Sequence, residues 1–587
     1  MSSTFGSFEI ARSGLSVAMQ QLSVTEQNIS NANTEGYTRQ RLLTKAKSSS
    51  SDGYLISQLN KANVGQGVAA TGIQQIRSYY LDQQFRTLNT NYMYSTTRDG
   101  ALTYLTGLVN ELDENSGLTT AIGNFYSALS SFSADTSSKE YRTNVQQQAL
   151  AMTSSFNNVY EEMQSLWKEQ NDSMTTVASE INSVAQKIAD LNNAIARTVQ
   201  TGGSSNELND QRNLLLDELA GYANISYSLN AGNDSMLDVR IGGLLLVDGV
   251  TTNPITADSP ASHVADIDSL TAQIAAVNSQ VEAGSVTPSD GQTAIAALVT
   301  QLGQYMTVSS SLNADNPDLT DVTFNGAALV SGTTATGAAD AVANNLTAWV
   351  EFNRSNLALD GSDLSIQSGT LTGGQLYANM EMVESQDART PGIPYYMAQV
   401  NSFVRDMAEH INTIHQGGWT YPDGTTASRS GVSFFNVPSS VDGLGNTVYD
   451  YSKVNAGNFT LSSDVLSSVY NIAGSSQQIS LSGSSSNSGN NVKALALIND
   501  LSDSGYYDKL NSIVLNLAVV ANTGESVTST RKSVLDSVDT QRQSMSSVST
   551  DEETTNLIIF QQTYAACAKA ISVLDNMLDT LINAMGR

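Results

Sequence analysis

A chain of 587 residues is too long for one hydrophobic core, and its length alone points to about four domains. Only 14% of the residues are charged, yet the formal net charge is -28, a balance that repels phosphate backbones and anionic lipid. The single cysteine, Cys567, excludes an intramolecular disulfide and a cysteine-rich metal site, so burial must stabilise the fold.

The opening residues MSSTFGSFEIARSG carry neither a basic n-region nor an apolar h-region, so no cleaved secretory signal is expected there. Phe8, Ala11, Leu15, Ala18, Leu22 and Ile29 advance by three- and four-residue steps with one gap, the 3.5-residue period of a coiled-coil seam. A second seam is expected across residues 149–195, clearest at Met174, Val177, Ile181, Val184, Ile188, Leu191 and Ile195, with Gly202-Gly203 as its stop. Residues 225–372 then turn to β patterning, as in Asp321-Val322-Thr323-Phe324, punctuated by Gly242-Gly243, Asp248-Gly249, Asn325-Gly326 and Asp360-Gly361. Inside that stretch, residues 269–306 return to helical spacing around Pro288 and predict a helical hairpin.

Pro391 and Pro394 mark the start of another helix, with Tyr396, Val400, Phe403, Met407, Ile411 and Ile414 on one stripe. The Gly/Ser-rich stretch 420–489 reads as short strands and loops, with 482–491 a flexible loop. A further seam uses Leu510, Ile513, Leu517, Val520, Val534 and Val538. The last helix is patterned without a break at Leu557, Phe560, Tyr564, Cys567, Ile571, Leu574, Leu578 and Leu581. Ser549 with Glu552, and Thr550 with Glu553, both fit a capping box at its start. No run of about 18 apolar residues occurs, so no transmembrane helix is expected.

Candidate chemistry is thin. His410 and His415 are five apart on a predicted helix and fall on different faces, unlike the two histidines of an H-E-x-x-H zinc site, and His263 has no ligand pattern around it. Cys567 occupies a seam position, where burial would make a thiol inert. Gly202-Gly203, Gly242-Gly243 and Gly373-Gly374 form no phosphate-binding loop. The carboxylate pairs Glu161-Glu162 and Asp217-Glu218 read as solvated helix faces, and Trp167, Trp349 and Trp419 as packing residues. No catalytic, cofactor-binding or metal site is predicted, and no cofactor.

The segment Asn28-Ile29-Ser30-Asn31-Ala32-Asn33-Thr34-Glu35-Gly36-Tyr37-Thr38-Arg39-Gln40 combines turn-forming asparagines, a glycine able to take positive φ and an anchoring tyrosine. It resembles the signature that closes the N-terminal helix of flagellar rod, hook and hook-associated proteins, and its Gly-Tyr-Thr-Arg-Gln ending is closer to the hook-associated members than to the hook protein. Four further stretches share the resemblance: residues 65–85, with Gly65-Gln66-Gly67-Val68; Asn206-Glu207-Leu208-Asn209-Asp210-Gln211-Arg212-Asn213-Leu214-Leu215; residues 400–417, with Asn412 and His415; and Asp551-Glu552-Glu553 with Phe560-Gln561-Gln562-Thr563-Tyr564. Asn209 and Asn213 depart from acidic positions of the family pattern. Residues 225–372 and 420–489 carry little resemblance.

The expected fold is α+β and multidomain, with the N- and C-terminal helices paired as a coiled coil, a long-helix bundle and β-rich outer inserts. Residues 1–45 with 546–587 are expected as a terminal coiled-coil domain, and 46–220 with 373–419 and 505–545 as a helical-bundle domain. Residues 221–372 are expected as a β-rich insert and 420–504 as a small insert. The resemblance implies a structural subunit, not an enzyme, that forms a ring of its own copies at the hook–filament junction. It implies export without a cleaved signal to an extracellular site. The implied partners are the hook protein, a second junction protein and an export chaperone on the C-terminal helix, with no nucleic acid or membrane.

The expected assembly seam is Phe8, Leu15, Leu22, Ile29, Leu557, Phe560, Tyr564, Ile571, Leu574 and Leu578. Asn31, Asn33, Gly36, Tyr37, Asp210, Gln211, Arg212, Gln561 and Gln562 are the family-motif residues. Two amphipathic helices with narrow stripes offset their ordering entropy poorly by pairing alone, so both ends are expected to be completed by neighbouring copies. Two alternatives stand beside this reading: a hook or distal rod protein, and a secreted surface-binding protein using the β insert.

Overall fold

The long apolar stripes fold as helices, and the glycine-punctuated middle folds as short meandering sheets. The computed structural model describes residues 4–47, 66–109, 117–423, 426–441, 446–480 and 487–585. In chain order, α1 (Thr4–Ser30) leads through a turn into an antiparallel hairpin of β1 (Gln40–Ala46) and β2 (Val68–Gln75). Three helices follow, α2 (Tyr79–Val109), α3 (Leu118–Ala134) and α4 (Lys139–Gln200), before the shorter α5 (Asn206–Tyr222). A four-stranded meander comprises β3 (Ile225–Asn230), β4 (Asn233–Ile241), β5 (Leu244–Asp248) and β6 (Thr251–Thr252).

After β7 (Ile255–Asp258) come α6 (Val264–Glu282) and α7 (Pro288–Leu302), where the helical hairpin is expected. A second meander follows with β8 (Ser309–Leu312), β9 (Thr320–Phe324), β10 (Ala327–Ser331) and β11 (Thr334–Ala335). Two short helices, α8 (Ala338–Val342) and α9 (Leu346–Asn353), precede β12 (Asn356–Leu359) and β13 (Ser362–Leu364), and β12 pairs with β7. Helices α10 (Gly374–Glu384) and α11 (Ile393–Gln416) lead into a segment whose described residues hold only β14 (Ser439–Val441), β15 (Thr447–Tyr449) and α12 (Ser463–Ser467) as elements beyond single 3-10 turns. The chain closes with α13 (Val492–Asp503), α14 (Tyr506–Ser546) and α15 (Thr550–Met585). Gly65 and residues 482–486 of the loop expected at 482–491 lie outside the described residues.

By packing, the chain forms two units. One contains Met1–Tyr92, Ile181–Pro254 and Thr530–Arg587; the other contains Met93–Glu180 and Ile255–Ser529. The expected domain boundaries remain a proposal beside this division, which falls inside α2, α4 and α14.

The second unit has a large closed core. Leu102, Phe125, Phe132, Phe156, Met163, Val400, Phe403, Met407, Leu510 and Leu517 are all buried in one continuous cluster. Phe156 stacks on Phe403 at 5.5 Å between ring centres, and the Trp167 indole donates to the Val383 carbonyl at 2.9 Å. The segment 420–480, poor in regular structure, contributes Phe434, Phe435, Phe459 and Leu461 to the same core. Side chains of α11 hold it there. Asn412 donates to the Phe435 carbonyl and accepts the Phe434 and Phe435 amides. His415 bridges the Val432 carbonyl at 2.7 Å and the Ala473 amide at 2.8 Å. An imidazole that donates on one side and accepts on the other is neutral, and burial pushes its pKa down to about 4. A smaller core in this unit joins Ile267, Ile274 and Leu302 to Val322, Phe324, Leu329 and Val330.

Candidate assembly interface

In the first unit, α1 and α15 pack along each other. A Cβ at Gly14 would lie 2.9 Å from the Cys567 sulfur, and Asn28 bonds Glu553 at 3.1 Å. Each helix advances equally between those two contacts, in opposite chain directions, so the pair is antiparallel and in register. Small side chains let the backbones approach: Ala11 and Ala18 are buried on α1, with Gly14 between them and Val17 beside them. Periodicity marked Ala11 and Ala18 of this stripe; Gly14, which hydrophobicity does not flag, leaves the room that Cys567 occupies.

The expected seam residues lie beside this line. Phe8, Leu15, Leu22, Ile29, Leu557, Phe560, Ile571, Leu574 and Leu578 are half-buried, and Tyr564 is exposed. Cys567, expected to be buried, is half-buried as well. A further set faces solvent outright: Met19, Ile558, Ile559, Val573, Met577 and Ile582 are each at least 44% exposed. The apolar material on the terminal pair is therefore wider than one seam can cover.

That width also corrects the membrane reading taken from uninterrupted apolar runs. Within Val492–Thr580 an 18-residue window reaches a mean hydropathy of 1.3, with none of it buried. By length and composition, one helix of the described residues could thus cross a bilayer. Gln561, Gln562 and Lys569 interrupt that stretch, which is why no continuous run is visible, and Gln561 and Gln562 are exposed.

The neck between α1 and β1 is polar and densely bonded. Asn31 accepts from the Thr34 hydroxyl and donates to the Gln27 carbonyl at the helix end, while Asn33 is exposed in the turn. Gly36 takes φ +76°, a left-handed conformation that costs a glycine nothing, and passes against the Leu214 side chain. The Tyr37 hydroxyl donates to Asn28 Oδ1 at 3.0 Å; burial, with Glu207, Asp210 and Glu553 nearby, pushes its pKa up to about 12. Asn28 also accepts the Gln40 amide and donates to the Gln40 carbonyl. Helix end and strand start are thereby bound through one side chain.

Arg39 ties the neck to the start of α15, bonding Glu553 at 2.8 Å and Glu552 at 2.7 Å, while its amide donates to the Ser546 carbonyl. The capping box is consequently half realised. The Glu552 amide reaches Ser549 Oγ at 3.4 Å, but the two glutamates bond Arg39.

Helix α5 receives the neck from the other side. Buried Asp210 accepts the Thr38 hydroxyl at 2.7 Å and the Thr38 amide at 3.0 Å; burial outweighs these bonds and raises its pKa. Arg212, whose pKa burial lowers to about 10, bonds Asn192, Asn209 and the Ser235 carbonyl, whereas Gln211 is exposed. Asp217, read from sequence as a solvated carboxylate, instead sits between two arginines, Arg86 at 2.6 Å and Arg542 at 2.5 Å. Arg542 also lies over the Phe85 ring, 3.9 Å from its centre. Pairing across such separations in sequence leaves no local pattern to read.

Among the described residues no group of three or more His, Cys, Asp or Glu side chains could hold a metal ion. His410 bonds its own helix at the Asp406 carbonyl, and His263 pairs with Asp258.

The two terminal helices are tied together at a polar neck, and apolar side chains on their flanks stay exposed. The comparisons with known proteins place the chain. Residues 102–263 and 256–435 match the flagellar hook-associated protein FlgK helical domain, residues 8–38 the flagella basal body rod protein family, and residues 540–584 the flagellar basal body rod FlgEFG protein C-terminal family. Flagellar hook-associated protein 1 of Bacillus subtilis (strain 168) is 25% identical over 592 residues, covering 100% of this chain and 99% of that one. Its namesake in Escherichia coli (strain K12) is 25% identical, covering 98% of each. The structure of the flagellar hook junction protein FlgK from Burkholderia pseudomallei has a TM-score of 0.49 at 13% identity, covering 78% of this chain and 99% of that one. The chain belongs to the FlgK family of flagellar hook-associated proteins, and its role is structural.

Proposed function

We propose that this chain polymerises on the hook tip as the hook–filament junction, using the α1–α15 pair as its joining element, and that it catalyses no reaction. The uncovered apolar flank of that pair carries the reading. Each large side chain fully removed from water contributes roughly 1.5–3 kcal/mol, so neighbouring copies packed on Ile558, Ile559, Val573 and Met577 gain stability unavailable to a single molecule. Family membership supports an extracellular flagellar location reached without a cleaved signal, with the hook protein and a second junction protein as axial neighbours. The same exposed flank suits an export chaperone on α15, since a contiguous apolar surface aggregates unless covered. The terminal matches to rod-type families concern the ends alone, and the comparisons do not favour the surface-binding alternative.

The deciding experiment images hook tips of a strain in which this chain is deleted. Hooks of normal length lacking filaments are expected, while absent hooks would refute the junction role in favour of the hook or rod alternative. Complementation with Ile571→Asp or Leu574→Asp is expected to leave filaments unattached while the closed core of the second unit stays folded.

A further inference from the structure

Two stretches of this chain match residue for residue in pairing and bonding. In β3–β6, Tyr227 pairs with Val239, Val239 with Val247, Arg240 with Leu245, Ile241 with Leu244 and Val247 with Thr252. In β8–β11, Ser310 pairs with Val322, Val322 with Val330, Thr323 with Ala328, Phe324 with Ala327 and Val330 with Ala335. Every position recurs at the same interval, including the register shift after Val239 and its counterpart between Ala328 and Val330. A bulge placed identically in two sheets is a specific feature, because it sets which side chains face the core.

The turns agree too. Asn230 caps the first bend by accepting the Gly232 amide and donating to Asp238, and Asn313 accepts the Asp315 amide and donates to Asp321. Asp238 in turn accepts the Gly249 amide, and Asp321 the Gly332 amide. Both bends read Asn-Ala-x-Asn in sequence.

Each sheet is fastened to a helix by one buried asparagine. Asn192 donates to the Leu237 and Gly249 carbonyls and accepts the Leu237 amide. Asn278 donates to the Thr320 and Gly332 carbonyls and accepts the Thr320 amide. On the two helices Ile181, Val184, Ile188, Ala189 and Ile195 correspond to Ile267, Leu270, Ile274, Ala275 and Val281, and all ten are buried. A connection three residues shorter in the second stretch then leads to α7 where the first has α5.

We infer that residues 181–253 and 267–336 are tandem copies of one helix-hairpin-plus-meander module, and that only the first copy serves as the dock for the polar neck beside the terminal pair. On α5 the groups that bond outside the module are Asp210 and Asp217, while Arg212 bonds within it; at the corresponding positions of α7 stand Thr293, Thr300 and Ile295. Thr293 and Thr300 are exposed, and Ile295 is buried in the local apolar core where Arg212 made polar bonds. The second copy keeps the fold and has lost the dock.

A strand graft in the full chain tests the duplication. Residues 226–253 replace residues 309–336, which are equal in length, and a control graft inserts residues 227–254 at the same place. The in-register graft is expected to unfold cooperatively within about 5 °C of the parent and to protect residues 267–336 from protease. The shifted graft, which turns each strand's core residues outward, is expected to lose that protection. Equal behaviour of the two grafts, in either direction, would overturn the duplication. The division of roles rests additionally on the proposed function and has its own arm, filament attachment. Thr293→Arg and Thr300→Arg are expected to leave attachment intact, and Asp210→Asn with Asp217→Asn to reduce it at least tenfold. Loss from the threonine variants, or normal attachment with both asparagines in a folded chain, would overturn that division without touching the graft result.

Discussion

The closed core of the second unit and the α1–α15 pair of the first use the same residue types to opposite effect. Around Phe156 and Phe403 a continuous cluster of large side chains is buried, with Trp349, Tyr395 and Ile414 partly covered at its edge, and even the irregular segment 420–480 contributes Phe434, Phe435 and Phe459 to it. On the terminal pair the small residues Ala11, Gly14 and Ala18 bring two backbones together, while isoleucines and methionines on the flank stay in water. Closed burial produces a self-sufficient domain. Burial left unfinished, next to a neck held by charge pairs, leaves the apolar flank on which the proposed assembly role rests.

The contrast can be broken most forcefully in the core. Phe156→Ala is expected to lower unfolding stability by about 3–5 kcal/mol, since truncation leaves a cavity beside the Phe403 and Phe459 rings; chemical denaturation measures it. At the neck, Asp217→Ala removes the shared partner of Arg86 and Arg542 and is expected to cost about 3 kcal/mol, because buried guanidinium groups lose their counter-charge. The loss should appear as faster hydrogen exchange at the Arg39 and Ile76 amides, which bond across this neck. A change confined to the closed core would contradict the assignment.

A third test uses pH. His415 is neutral in the fold with a pKa near 4, whereas an unfolded histidine takes up a proton below about pH 6.5. Its contribution is complete above pH 6.5 and lost as pH falls toward 4, by roughly 2–3 kcal/mol over that window. His415→Gln should flatten this part of the stability profile relative to the parent. The smallest effect on the monomer is expected from Ile558→Ser with Met577→Ser. Exposed positions of this kind move stability by about 0.5 kcal/mol or less, yet the pair should abolish filament attachment in a motility assay. Monomer destabilisation comparable to Phe156→Ala would erase the distinction between the two regions.

Legibility followed the range of the interactions. Helical periodicity located α4, α11, α14 and α15, and glycine-rich turns located the meanders, because both patterns are written within a few residues of each other. The neck motif was visible as a string of residue types, but its working partners were not. Arg39 with Glu552 and Glu553, and Asp217 with Arg86 and Arg542, join positions 131 to 514 residues apart, and a carboxylate on an amphipathic helix looks solvated until its partner arrives. The segment 420–480 offered no periodicity because side-chain-to-backbone bonds from Asn412 and His415 hold it in place of a hydrogen-bonded ladder.

The order of residues by itself determined the long helices, the breaks between them, the acidic and cysteine-poor character, and the family signature at both ends. These depend on local propensity and on apolar spacing. Tertiary structure alone decided which apolar residues are enclosed and which remain open, which carboxylates are paired, and that one module occurs twice with the same bulge. Burial and pairing are properties of distant segments brought together, and no local pattern contains that information.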